Sequence, residues 1–164
     1  MRLLWMVLFM IPAAGLAQDF RLIPPDTKTI REELQRNNYS QDVIYIYLCQ
    51  NYATASEKYD IQTSSFGEER LCAFKQKFES KITYSLEQCT ENGGKNINAV
   101  FPKTDKRSIV NWVESIYKSA PMGNIKHEWN SDLTEFGPTD NGAGCYFTIL
   151  YHSKTVEIKV HCGC

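Results

Sequence analysis

Apolar and polar positions alternate most cleanly at the C-terminal end of the chain. Two β-rich runs, Cys145 to His152 and Thr155 to Cys162, flank the polar pair Ser153-Lys154, and a hairpin is predicted. With that pair as the loop, His152 faces Thr155 beside the turn and Cys145 faces Cys162. Counting outward puts the two cysteines at a non-hydrogen-bonded position, where Cα atoms stand about 4.5 Å apart, within disulfide reach. The same face carries Phe147, Ile149, Tyr151, Val156, Ile158 and Val160. The other is mostly polar, with Thr148, Glu157, Lys159 and His161, and with Tyr146 and Leu150 as exceptions. One register therefore satisfies both an apolar face and a cystine. Ser-Lys is not a preferred type I′ pair, which leaves a longer loop open.

Elsewhere the period is longer or less definite. Pro24-Pro25-Asp26 precedes a short helix capped by Asp26 or Thr27, with Ile30 and Leu34 on one face. Asp42 to Cys49 is apolar and β-branched, so period alone leaves strand and buried helix both open. Asn51 to Gly67 is polar and reads as loop. Leu71, Phe74, Phe78, Ile82, Leu86 and Cys89 recur at spacings of three and four, which predicts a long helix from about Glu68 to Cys89. In that reading Lys75, Lys77 and Lys81 are its solvated face. Asn96 to Phe101 is a short extended segment. Thr104 or Asp105 caps another helix through Ala120, with Ile109, Val113, Ile116 and Ala120 inward, Trp112 flanking them and Pro121 ending it. Met122 to Gly144 is predicted to be a long, partly extended loop. Helices interleaved with antiparallel strands predict one α+β domain.

The N-terminus gives that domain a compartment. Met1 to Ala17 has one cation, Arg2, then an apolar stretch from Leu3 to Pro12 and small residues at Gly15 and Ala17. This is the pattern of a secretory signal cleaved between Ala17 and Gln18, leaving residues 18–164. A membrane anchor would need roughly 18 uninterrupted apolar residues. All six cysteines (Cys49, Cys72, Cys89, Cys145, Cys162 and Cys164) follow the signal. An even number in an oxidising compartment predicts three disulfides, with the partners of Cys49, Cys72, Cys89 and Cys164 left open. Asn38-Tyr39-Ser40 is a glycosylation sequon. A net charge of −1 offers no basic surface for nucleic acid.

The order of several short elements resembles the CAP superfamily of cysteine-rich secretory, antigen 5 and pathogenesis-related proteins, nearest its nematode activation-associated branch. Those elements are Cys89-x4-Gly94-Lys95-Asn96-Ile97, then Val110-Asn111-Trp112-x-Glu114, then Gly144-Cys145, then Val160-His161-Cys162. The likeness is strongest over residues 72–162. It implies an α-β-α sandwich, with helices around a small antiparallel sheet that ends in the C-terminal hairpin. It also implies a cleft in which many members place two histidines and two glutamates able to hold a metal. Here the corresponding positions are Lys95, Glu114 or Ser115, and Asp132, and a charged ammonium cannot ligate a metal. No catalytic or metal-binding residue and no cofactor is therefore expected.

The histidines do not supply an alternative. His161 lies opposite Tyr146, six residues from His152, which at about 3.3 Å per residue is roughly 20 Å. His127, beside Glu128, reads as a surface residue, and no serine has the context of a nucleophile elbow. The expectation is a secreted, non-catalytic CAP-like protein that binds an extracellular protein or cell-surface receptor. By resemblance this would be a host-interacting or immunomodulatory effector of a parasitic nematode. The alternatives are a lipid or sterol carrier, using Tyr45, Tyr47, Phe74, Phe78, Trp112 and Trp129, or a secreted protease inhibitor, for which the chain shows no identifiable reactive loop, Met122 to Gly144 being only a long one.

Overall fold

A computed structural model describes residues 20–37, 40–64, 70–89, 94–120, 125–140 and 142–163. The expected signal sequence Met1–Ala17, the sequon residue Asn38 and Cys164 lie outside them. The described residues form one eight-stranded antiparallel sheet with three α-helices, not a sandwich of helices around a small sheet. The α-β-α expectation is thereby corrected. That expectation came from the family resemblance; the helix predicted from about Glu68 to Cys89 falls with it, because residues 70–87 are two strands joined by a turn.

Helices α1 (Thr27–Arg36) and α2 (Val43–Asn51) precede strands β1 (Tyr59–Ser64), β2 (Arg70–Lys77), β3 (Thr83–Glu87) and β4 (Lys95–Pro102). Helix α3 (Lys106–Ser119) then leads to β5 (His127–Trp129), β6 (Glu135–Pro138), β7 (Gly144–Tyr151) and β8 (Thr155–Gly163). Across the sheet the order is β1-β2-β3-β4-β8-β7-β6-β5. Two four-stranded meanders are thus joined through the central pair β4–β8, which runs from Lys95↔Cys162 to Pro102↔Thr155.

Aliasing explains the misread segment. Phe74, Phe78, Ile82 and Leu86 are four apart, and four is an even number, so the same residues satisfy a helix stripe and a strand alternation. In the structure Cys72, Phe74, Gln76 and Phe78 are buried while Lys75 and Lys77 are exposed. The lysines' alternation with apolar neighbours was therefore a strand signal. The chain reverses at Glu79–Lys81, where Ser80 and Lys81 take positive φ of 57° and 63°. Phe78 N donates to Ile82 O across that turn (2.9 Å). Two further loop expectations are corrected. β1 occupies part of Asn51–Gly67, and β5 and β6 pair within Met122–Gly144 from His127↔Pro138 to Trp129↔Phe136.

The helices follow their capping residues. Asp26, Asp42 and Asp105 each accept from backbone N–H groups of the first turn of α1, α2 and α3, satisfying donors that a helix start leaves unpaired. α2, left open between strand and helix, is a helix that buries Ile44, Ile46, Tyr47 and Leu48. It is apolar on every side, as suits a helix wedged between a sheet and its neighbours. α1 buries Ile30 and Leu34. α3 buries Ile109, Val113 and Ile116; Trp112, expected to flank, is fully buried, and Ala120 is only half-buried.

The helices pack on one face of the sheet. Tyr45 meets Phe74 and Tyr84, Trp112 meets Phe101 and Tyr47, and Tyr117 meets Phe136, with ring centroids 5.2–5.4 Å apart. The C-terminal hairpin stands in the expected register, from Gly144↔Gly163 to Tyr151↔Val156, with His152 N donating to Thr155 O at the two-residue loop. Cys145 and Cys162 face each other in it and are joined by a disulfide, with Cα atoms 4.0 Å apart. A second disulfide, Cys72–Cys89, ties the start of β2 to the residues just after β3.

Candidate functional site

With the helices on one face, the alternate residues of each strand emerge on the other, and no described element covers them. Cross-strand pairing sets them in rows. Glu87, Asn96, His161 and Tyr146 are successive neighbours from β3 to β7. Lys75, Ser85, Asn98, Lys159 and Thr148 form the adjacent row from β2 to β7. Together with Asp60, Ile61 and Gln62 of β1 they line a groove of about 870 Å³. Strands lie about 4.8 Å apart, so a flat sheet would separate β1 from β7 by roughly 24 Å. Residues of both strands share one groove because the sheet curls.

Side chains on this face hold one another in place. His161 Nδ1 stands 2.7 Å from Asn96 Oδ1; an amide oxygen only accepts, so Nδ1 donates. Asn98 Nδ2 donates to Glu157 Oε1 (2.9 Å), while the buried Asn98 Oδ1 has no hydrogen-bond partner among the described residues. Burial pushes the Glu157 carboxyl up, but hydrogen bonds from His152 and Asn98 and the charge of Lys159 outweigh it and hold it below its ordinary value. At the β1 end Asp60, at φ 51°, turns its carboxylate to Lys75 Nζ (2.7 Å). The left-handed backbone there is one that aspartate tolerates. At the far end the Tyr146 ring lies across Gly137, where a Cβ would come within 2.7 Å of it. Only glycine allows that approach. The groove thus offers amides, hydroxyls, an imidazole and both signs of charge, with aromatic and apolar groups at its ends.

Three of the residues that the sequence placed in a family cleft hold separate partners. Lys95 Nζ binds Asp42 Oδ2 (2.9 Å) at the start of α2. Glu114 Oε1 accepts from Trp129 Nε1 (3.1 Å) between α3 and β5. Ser115 Oγ donates back to Asn111 O within α3 (2.8 Å). Asp132 is exposed in the turn between β5 and β6. No group of three or more His, Cys, Asp and Glu among the described residues is placed to hold a metal ion.

The histidines are also separate. His152 faces Glu157 (3.3 Å), and His161 faces Asn96. His127, read as a surface residue, is half-buried: it stacks on Tyr117 with centroids 4.0 Å apart, and its Nε2 lies 3.0 Å from Cys145 O. Of the aromatic residues weighed as a lipid lining, Tyr47, Phe74, Phe78 and Trp112 are buried in the core. Among the described cysteines only Cys49 keeps a free thiol.

The sequence reading missed this groove. Thr148, Lys159 and His161 stood out as the polar side of the terminal hairpin, but β1, β2 and β3 were not read as strands, so their polar faces could not be added to it. Compared with protein-family models, curated proteins and solved structures, the chain has no match.

Proposed function

We propose that the protein is secreted and acts by binding, not catalysis, and that the open face of its sheet receives a polar loop of another extracellular protein. The observation that carries this is the pair of hydrogen-bonding rows crossing the sheet in a groove that no described element covers. A small-molecule site encloses most of its ligand, whereas this groove is open along its length and suits a macromolecular surface. Its mixed charges favour selectivity over bulk attraction. Tyr59 and Ile61 at the β1 rim are large and exposed, and Tyr146 closes the other end. Anchors of this type tend to concentrate binding energy.

Secretion rests on the signal pattern of Met1–Ala17. Two disulfides are compatible with an oxidising compartment, and no described helix is long and apolar enough to cross a membrane. Binding without catalysis is supported by the separate engagement of the three histidines, none of which bonds a serine or cysteine side chain among the described residues. Lipid carriage has lost most of its material, because the core aromatics pack on one another.

The test is saturable binding of the secreted protein to intact cells by flow cytometry, with charge reversals on each face. Lys159→Glu with Lys75→Glu, in the groove, should abolish binding. Lys28→Glu with Glu32→Lys, on the exposed side of α1, should leave it unchanged. Binding that survives the groove reversal in a folded protein overturns the assignment.

A further inference from the structure

A second groove, of about 540 Å³, lies on the helix side at the opposite edge of the sheet. Glu114, Tyr117 and Lys118 of α3 form one wall, and His127 and Trp129 of β5 form the other. Phe136 of β6 packs against Tyr117, His127 and Trp129, with centroids 4.9–5.4 Å away. Helix spacing brings Glu114, Tyr117 and Lys118 onto one side of α3, and strand alternation brings His127 and Trp129 onto one side of β5.

Two features give this groove a chemistry. Its walls are aromatic, and ring faces attract cations, most strongly for tryptophan. A carboxylate also stands at its lip. Glu114 Oε1 is fixed by the Trp129 indole N–H (3.1 Å), which among the described residues leaves Oε2 to Lys118 Nζ at 3.7 Å. That lysine side chain is 67 % exposed, and such an i,i+4 surface pair is weak. The lysine ammonium therefore marks where a cation is favoured without holding the place firmly.

We propose that this groove is a binding site for a small organic ammonium ion, its charge against Glu114 and its substituents between Tyr117 and Trp129. The site is separate from the open-face groove and does not depend on that reading. An anion is disfavoured by the Glu114 carboxylate. A neutral apolar ligand would gain the ring contacts but nothing from the carboxylate.

Calorimetry with phenylethylammonium, choline and the neutral isostere phenylethanol tests the proposal on the full secreted chain. At least one ammonium should bind, and phenylethanol should bind about tenfold more weakly or not at all. Which ammonium binds separates a primary amine from a quaternary one. Glu114→Gln keeps an oxygen for the Trp129 N–H and should weaken binding about tenfold. Lys118→Gln removes the competing ammonium and should tighten binding several-fold, a gain that a damaged fold cannot produce. The proposal is overturned if neither ammonium binds at about 10 mM, if phenylethanol binds as well as they do, or if Lys118→Gln weakens binding.

Discussion

Lys95 Nζ stands 2.9 Å from Asp42 Oδ2, joining the first residue of β4 to the capping residue of α2. Asp42 is 7 % exposed, and its other oxygen accepts from Ile44 N (2.8 Å) and Tyr45 N (3.3 Å). One carboxylate thus starts a helix, answers a lysine and fixes where α2 meets the sheet. The two halves of the contact are unequal. Lys95 keeps 29 % of its side chain exposed against 2 % for Asp42, so a widowed lysine can reach water and a widowed aspartate cannot.

The cap outweighs that inequality: Asp42→Ala should cost about 2–4 kcal/mol, since it removes both the cap and the lysine's partner. Asp42→Asn keeps an oxygen for the cap and should cost less. Lys95→Met leaves the carboxylate buried but still bound to two N–H groups, at about 1–3 kcal/mol. Urea unfolding of the three variants checks the order. A Lys95→Met loss equal to or above that of Asp42→Ala would contradict it.

Trp112 is 1 % exposed and lies between Tyr47 and Phe101, yet its Nε1 has no hydrogen-bond partner among the described residues. Trp112→Ala should cost about 3–5 kcal/mol through the cavity it opens. Trp112→Phe loses volume but also removes a buried, unpaired donor, so its cost should stay below about 2 kcal/mol. Denaturant midpoints of the two variants give the comparison. Equal losses would mean that the indole N–H finds a partner in solution.

Each disulfide joins cysteines 17 residues apart. Restricting a loop of that length in the unfolded chain corresponds to about 3 kcal/mol per bridge. Replacing both members of one bridge with serine should lower stability by about that amount, and the two effects should nearly add, because the bridges lie in different meanders. Chemical denaturation of each double variant and of the quadruple variant tests this. A loss below about 1 kcal/mol for either bridge would mean that the unfolded chain is already held compact there.

What could be read from the chain follows from how local each signal is. The terminal hairpin is legible because strict alternation, a two-residue loop and two cysteines all demand one register. The caps at Asp26 and Asp105 are legible because an acceptor directly precedes each apolar stripe. β2 and β3 were hidden by the four-residue spacing from Phe74 to Leu86, which serves both periods. β5 has only three residues, too few to show any period. The β4–β8 pairing leaves no local trace: Asn98 and Lys159 meet across sixty-odd residues of chain. The open-face groove needs that pairing, so it could be seen only once the strands were ordered. The CAP-like motifs fall on β4, α3, β7 and β8, but three of the four residues expected in the cleft hold separate partners and Asp132 stands in an exposed turn.

Acid should loosen this fold through three carboxylates held below their ordinary values. The Thr29 side chain lowers Asp26 and the Ser108 side chain lowers Asp105, each at a helix start. Glu157 is pushed up by burial and then brought down further by His152, Asn98 and Lys159. A group depressed in the folded state binds protons more readily when unfolded. Its stabilisation is complete above the unfolded value, 3.8 for the aspartates and 4.5 for the glutamate, and is lost as pH falls through the folded value. The melting temperature should therefore be insensitive to these groups near neutrality and fall below pH 4.5. Replacing them with Asp26→Asn, Asp105→Asn and Glu157→Gln should flatten that fall. Asparagine still caps a helix, so the triple variant should remain folded at neutral pH. Melting curves of both proteins from neutral pH into acid decide the matter: parallel profiles would show that other carboxylates carry the acid response.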